Sequence, residues 1–560
     1  MNDEIDIEEW APGFVILITL VGGFLRVLLL GTKGMWLDET FSVWMARHSV
    51  PELLQWTVNL DQHPPLYYLL LHYWIALFGD TAYYARLLSA LFGAAAIPVI
   101  YLIGKRLSGA VVGLAAALFL AFSLFNIYFA QETRMYTLLT FNAAVAIYAL
   151  VWLLTDTRAA ASPIGSQFRD YLHTWRTTQP GAPEGAGEFS YAPQSGKQSG
   201  WRAWRARQRL APIRTIATDL AWVALIVFTV ATLLSHNTAI FFPIAANIFV
   251  VGLMLYQRLR PSSAPPALQA PTVGNWVKAQ VAVLLLWSPW LFALIQQASR
   301  VDAHFWIPQP TWESVIQTLR ALLNSSAPTP ASQVITWVLV GVLTLGVVYY
   351  RKRFSIFMLL VALFAIPVLG ELLVSLRRPI FYDRTLIWIT IPMFVLLAAG
   401  VVQLRNRFLI ILAMGVFITN SLFAIGDYMR FYQKEDWSTP AGYIANFAES
   451  GDLVLFNSNF VVIPFDYYFK PYAELYDIQV VKQGVPLDLY TDGVLEPKMT
   501  EGDVPALISL LDGHDRVWLV YSHDAYTDPE GLVPQTLAAQ MNLTRTRDFY
   551  GGQVQLYEAP

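Results

Sequence analysis

Apolar runs about twenty residues long, separated by short polar breaks, recur from residue 12 to residue 426. A bilayer core about 30 Å thick is crossed by roughly twenty apolar residues in a helix, so each run reads as one span. The pattern predicts about eleven spans, near 12–30, 84–104, 111–130, 137–154, 217–234, 239–256, 277–295, 333–350, 354–374, 385–402 and 408–426. From about Tyr428 the pattern changes. Short strand-like runs, Asp452–Phe456 and Arg516–Tyr521, alternate with helix-like stretches such as Val504–Leu511, as in a small α/β domain. The predicted organisation is a polytopic α-helical membrane module over 1–426 and an extracytoplasmic α/β domain over 427–560.

Lys and Arg fall in alternate loops: Lys105/Arg106, Arg158 to Arg214, Arg258/Arg260, Arg351–Arg353 and Arg405/Arg407. The positive-inside rule makes that side cytoplasmic, which puts the N-terminus inside a cell membrane and the chain after Gly426 outside. The first residues are acidic and lack the basic region of a secretory signal, so the first run reads as a retained span. Arg26 and Glu371 are charges placed within spans, and Arg26 either faces the bundle or snorkels outward. The insertion at 158–212 is rich in Pro, Gly, Ser and Gln and is expected to be disordered. Its end, Trp201–Arg207, interleaves aromatics with cations, as either an interfacial helix or a basic topology-setting loop would.

Composition agrees with a lipid-embedded chain: 56% hydrophobic and 14% charged residues, with mean hydropathy +0.45. A net charge of -3 gives no global basic field for nucleic acid. No cysteine is present, which excludes disulfides, thiolate nucleophiles and cysteine-bound zinc. The outer domain shows no Gly-rich phosphate loop or nucleophile elbow, and no internal repeat supports an inverted-repeat transporter.

Chemistry gathers in the external loops. The first, roughly 31–83, begins Trp36-Leu37-Asp38-Glu39, and an acid at a membrane interface suits a general base or an ordinary solvated loop. Further on stands His63-Pro64-Pro65-Leu66-Tyr67-Tyr68, where the prolines break any preceding helix and set His63 at the mouth of a short interfacial one. His63, Tyr67, Tyr68 and Trp74 suit hydrogen bonding to a sugar or its phosphate, or an aromatic belt. Between the third and fourth runs lies Gln131-Glu132-Thr133-Arg134-Met135-Tyr136. An arginine there neutralises a phosphate, or Glu132 and Arg134 pair to tie the turn. Arg377, Arg378 and Arg384 also fall outside, against the sidedness bias, and a phosphate anion supplies a reason.

These motifs resemble those of the GT-C membrane glycosyltransferases of glycosyltransferase family 39, the protein O-mannosyltransferase and aminoarabinose-transferase group. The resemblance rests on four ordered matches: Trp36–Glu39, His63–Tyr68, Arg86-Leu-Leu-Ser89-Ala-Leu91 and Gln131–Tyr136. Arg378 to Arg384 and Glu435-Asp436-Trp437 fit more loosely. The resemblance implies a GT-C-like fold and inverting transfer of a hexose or pentose from a polyprenyl-phosphate donor to a glycan, lipid or protein acceptor. It implies Asp38 and Glu39 as the catalytic pair, with Asp38 as base, and His63, Arg86, Glu132, Arg134, Tyr136 and Arg384 as substrate-binding residues. His236-Asn237 and Phe305–Pro308 line the sugar pocket or serve as turn and belt residues. No cofactor or metal is expected. A transporter or flippase of lipid-linked sugars is the rival expectation; a receptor-like scaffold leaves the ordered motifs unexplained.

Overall fold

The computed structural model describes residues 7–59, 61, 63–156, 164–167, 169, 216–260, 267–300, 308–323, 330–486 and 497–560. The expectations for most of the 158–212 insertion, including Trp201–Arg207, and for Phe305–Ile307 lie outside those residues. The first half of the membrane module contains α1 (Ile7–Val27), α2 (Leu37–Arg47), α3 (Val50–Asn59), α4 (Leu66–Phe78), α5 (Ala82–Ser108), α6 (Ala110–Phe122), α7 (Leu124–Ala130) and α8 (Tyr136–Thr155). Among the described residues, nine helices are long and apolar enough to cross a membrane, or ten if one bent pair counts as a span.

Two of the eleven expected spans take another form. The run at 111–130 is split into α6 and α7, bent by 56°, and the run at 217–234 is a 17-residue helix, Ala217–Leu233. The bend has a local cause. Ser123 leaves the helical path, and its hydroxyl accepts from Asn126 N at 3.3 Å, capping a new helix. The carbonyls released at the end of α6 then need donors, because the bilayer supplies none. Arg26 provides them: it is fully buried and donates to Leu120 O at 3.0 Å and Ala121 O at 3.2 Å. This arginine therefore faces the bundle.

Small residues bring helices together where dispersion, not the hydrophobic effect, drives packing. A Cβ at Gly346 would overlap the carbonyl of Leu396, and one at Gly400 the carbonyl of Val342. Helix Pro330–Tyr350 can lie flush on Thr390–Gln403 only because both positions are glycine.

Beyond helix Arg407–Phe431 the chain forms an α/β domain around a five-stranded sheet ordered β2-β1-β3-β5-β4. Its strands are β1 (Leu453–Phe456), β2 (Val481–Gly484), β3 (Arg516–Ser522), β4 (Asn542–Phe549) and β5 (Gly552–Glu558). β1 pairs in parallel with β2 and β3, while β5 runs antiparallel to β3 and β4. Side-chain alternation divides the sheet's two faces. Leu453, Leu455, Val517 and Leu519 pack with Leu507 and Leu537. Val454, Phe456, Trp518 and Val520 join an apolar core continuous with the membrane helices. Helix Val462–Tyr476 completes the seam: Phe460, just before it, packs with its ring tilted against Phe41 of α2, 5.3 Å between centroids, and the Tyr468 hydroxyl accepts from Met35 N at 2.6 Å. Tyr467 donates to Asp80 O at 2.8 Å. The domain thus rests directly on the first loop.

Candidate active site

Trp36 is extended, and α2 starts at Leu37 with Asp38 and Glu39 in its first turn, where carboxylates complement the exposed amides. Successive helical residues point about 100° apart, so the two acids diverge. Glu39 turns inward and is fully buried. Arg86 of α5 grips it with a two-pronged bond, Nε to Oε1 and Nη2 to Oε2, both 2.7 Å. Thr133 N donates to Oε1 at 2.9 Å, and Lys434 Nζ lies 2.9 Å from Oε2. Burial alone would raise the Glu39 carboxyl, but the Arg86 and Lys434 cations and their hydrogen bonds hold it down to about 2. Arg86 spends its remaining donors on the carbonyls of Leu30, Lys33 and Gly34 at 2.8 to 2.9 Å. Glu39 and Arg86 together staple the first loop to α5 and to the turn before α8.

Asp38 turns outward, with its side chain 23% exposed. Two guanidiniums approach the same oxygen, Oδ2: Arg384 Nη1 at 3.3 Å and Arg134 Nε at 3.9 Å. Arg134 is buried and also donates from Nη1 to Asp38 O and Ser42 Oγ, each at 3.3 Å. Burial would lower its pKa, but Asp38 and the neighbouring tyrosines and Asp61 hold it well above its ordinary value. Its backbone is fixed from α5, where Ser89 Oγ donates to Arg134 O at 3.0 Å. Arg384 opens the 3-10 segment Asp383–Ile389, which Glu371 secures by accepting from Thr385 Oγ1 at 2.7 Å.

Glu132 and Arg134 leave their turn toward different partners. Glu132 is buried, its carboxylate 3.3 Å from Lys434 Nζ, and neither of its oxygens has a hydrogen bond. Burial raises its pKa, opposed by the Lys434 cation and reinforced by Glu39. Tyr136 lies under Arg384, 5.8 Å from guanidinium to ring. From Tyr136 a series of rings leads on to His236 at 6.2 Å and from there to His63 at 5.3 Å. His63 Nδ1 meets Asp61 at 2.9 Å, just before the short helix α4. Burial would raise the Asp61 carboxyl, but His63 and its hydrogen bond keep it below the usual range. Burial, with His63 and two arginines nearby, pushes His236 well below its ordinary value, so it is neutral at pH 7.

The eight residues singled out in the sequence therefore fall into three groups. Asp38, Arg134, Arg384 and Tyr136 converge; Glu39, Arg86 and Glu132 meet around Lys434; His63 stands at the far end of the ring series. Sequence reasoning missed Lys434, and it gave no role to Asp61, which heads the segment that continues through His63. The only signal for Lys434 was its place immediately before Glu435-Asp436-Trp437. Among the described residues, no group of three or more His, Asp or Glu side chains is arranged to hold a metal ion.

Comparison with known proteins agrees with this architecture. Residues 62–163 match the family described as dolichyl-phosphate-mannose-protein mannosyltransferase. None of the curated proteins matches the chain at a significant level. Among solved structures, the chain is similar to ArnT from Cupriavidus metallidurans in the apo state, with TM-score 0.58 and 12% identity over 98% of each chain. It is similar to the same protein bound to undecaprenyl phosphate, with TM-score 0.55 and 12% identity over 97% of this chain and 98% of that one. A third likeness is to the archaeal oligosaccharyltransferase AglB from Archaeoglobus fulgidus, in complex with an inhibitory peptide and a dolichol-phosphate. There the TM-score is 0.52 and identity 10%, over 96% of this chain and 73% of that one. The expected architecture, a polytopic α-helical module followed by a small α/β domain, is the fold this chain shares with ArnT.

Proposed function

We propose that the protein is an integral-membrane glycosyltransferase that moves one sugar from a polyprenyl-phosphate donor to an acceptor hydroxyl at the outer face of a cell membrane. The observation that carries this reading is the convergence of Arg134 and Arg384 on the partly exposed Asp38. Two guanidiniums side by side suit a phosphate, whose oxygens they fork onto more strongly than an ammonium does. The match of residues 62–163 to a dolichyl-phosphate-mannose family and the fold shared with ArnT bound to undecaprenyl phosphate support the same donor class.

In this reading the acceptor oxygen attacks the anomeric carbon as the bond from that carbon to the phosphate oxygen breaks. The acceptor proton passes to Asp38, and polyprenyl phosphate leaves with the bonding pair. Negative charge grows on the phosphate, where preorganised cations lower the barrier most, and Arg134 and Arg384 supply them. Attack by the acceptor oxygen on the face of the anomeric carbon opposite the departing phosphate oxygen inverts that centre. Tyr136 and the His236–His63 series offer ring faces and polar edges to a sugar. Glu39 and Arg86, with every strong bond turned inward, hold the geometry and do not react.

The test is to incubate the purified protein in lipid with a panel of polyprenyl-phosphate sugars and an envelope extract as acceptor. The expected result is one polyprenyl phosphate released per sugar attached, with the anomeric configuration opposite to that of the donor. Passage of intact lipid-linked sugar across the bilayer without cleavage would show a flippase, and a retained configuration would remove the single-displacement mechanism.

A further inference from the structure

We propose that Lys434 is a positioning residue for the transfer reaction: its ammonium ties Glu39 and Glu132, from two different loops, together beside Asp38, and the outer α/β domain fixes where that ammonium stands. The proposal rests on the transferase reading of this site.

Lys434 lies in the link between helix Arg407–Phe431 and the outer domain, and its side chain is only 2% exposed. An ammonium in such a place is strongly destabilising unless paired. It has two partners, Glu39 Oε2 at 2.9 Å and Glu132 Oε1 at 3.3 Å. Glu39 already has Arg86 and the Thr133 amide, whereas Glu132 has no hydrogen bond and depends on Lys434 for its nearest cation. Removing the ammonium leaves two buried carboxylates facing each other. The one without other partners, Glu132, then takes a proton. That proton cancels a charge close to Arg384 and Asp38, both of which feel Glu132 electrostatically. The other charged or titratable groups facing Glu132 are Arg86 and the hydroxyls of Tyr67, Tyr128, Tyr136, Tyr382, Tyr428 and Tyr432. None of these is positioned to replace the ammonium between the two acids.

The residues after Lys434 are tied to the outer domain and to α2 at once. Glu435 meets His523 Nε2, at the end of β3, at 3.1 Å, and its other oxygen accepts from Trp437 Nε1 at 3.1 Å and from Leu37 N at 3.4 Å. Asp436 N donates to Tyr550 O at 2.9 Å. Trp437 is buried and its ring lies parallel to that of His523. The position of Lys434 is therefore set by β3 and the β4–β5 turn, and the same link holds the first amide of the helix that carries Asp38.

Infrared pH titration of the protein in lipid tests this without relying on turnover. The protonated-carboxyl band of Glu132 is assigned by its loss in Glu132→Gln. In Lys434→Met its midpoint should rise by about one pH unit or more, and in Lys434→Arg it should return most of the way. His523→Leu should shift it in the same direction by less; an unchanged midpoint there would remove the outer domain from the proposal. Turnover with a polyprenyl-phosphate sugar should show kcat lowered roughly tenfold or more in Lys434→Met with donor KM within about twofold, and recovery in Lys434→Arg. An unchanged midpoint in Lys434→Met, or equal loss of kcat in the Met and Arg variants, would overturn the positioning role. If the wild type cleaves no donor, the transferase reading fails, and the infrared result alone decides whether Lys434 governs Glu132.

Discussion

Asp38 and Glu39 are neighbours in sequence with opposite fates, because helix geometry turns one outward and buries the other. Glu39 is spent on structure, so Glu39→Gln should destabilise the protein by about 3 to 5 kcal/mol through the uncompensated Arg86 and Lys434 left behind. Its pH signature has a definite sign. The carboxyl sits at about 2 in the folded protein against an ordinary 4.5, so the unfolded chain binds more protons between those values. The contribution is fully present above the ordinary value and is lost as pH falls toward 2. Thermal unfolding in detergent should show a loss of stability on acidification through that window that is shallower in Glu39→Gln; identical slopes would contradict the assignment. In the proposed reading Arg384 acts on ligand instead. Arg384→Ala should weaken binding of polyprenyl phosphate by roughly 10- to 100-fold, the worth of a charge-assisted hydrogen bond, as read by titration of intrinsic fluorescence. Much of this was legible in the sequence: Arg134 and Arg384 stood out as cations on the side where cations are few, and Asp38 as an acid beside an apolar run. Lys434 was not, because a lysine in a polar link looks solvated until the fold buries it.

Elements were legible to the extent that one physical rule governed them. Bilayer thickness sets span length, so all eleven apolar runs are helical. The break at Ser123 was not visible, because it depends on Arg26 arriving from a different helix to satisfy the carbonyls that the bend exposes. The glycine contact was equally hidden, since which glycines face another helix is a property of packing. That contact yields a controlled prediction. Gly400→Val should lower the midpoint of thermal unfolding, an overpacking cost of about 1 to 3 kcal/mol, because the added atoms meet the Val342 carbonyl. Gly415→Val, at a position with open space around it, should leave the midpoint within a degree or so. Equal effects at the two sites would show that helix propensity, not close approach, is being measured. In the C-terminal domain, β1 and β3 are buried on both faces and read as apolar runs, whereas Asn542–Phe549 is polar and exposed along nearly its whole length. It is a strand only because β5 pairs with it.

At the scale of the whole molecule, the site is assembled from parts far apart in the chain: the first loop, the turn before α8, the segment at Arg384 and the link at Lys434. The C-terminal domain rests on the loop that carries Asp38 through Phe460, Tyr467 and Tyr468, so one face of its sheet shares a buried core with the membrane module. Local pattern reveals the first three of these parts but not the link at Lys434, and contacts between residues some 400 positions apart, such as Glu39 and Lys434, lie beyond it. In the proposed reaction Asp38 takes the acceptor proton in a transfer from a polyprenyl-phosphate sugar. The most direct measurement is release of polyprenyl phosphate from a radiolabelled polyprenyl-phosphate sugar in the presence of acceptor, compared between wild type and Asp38→Asn, with donor binding measured in parallel. Turnover in the variant reduced by roughly 100-fold or more while donor binding persists is the predicted result. Turnover equal to wild type would take the proton away from Asp38 and contradict the account.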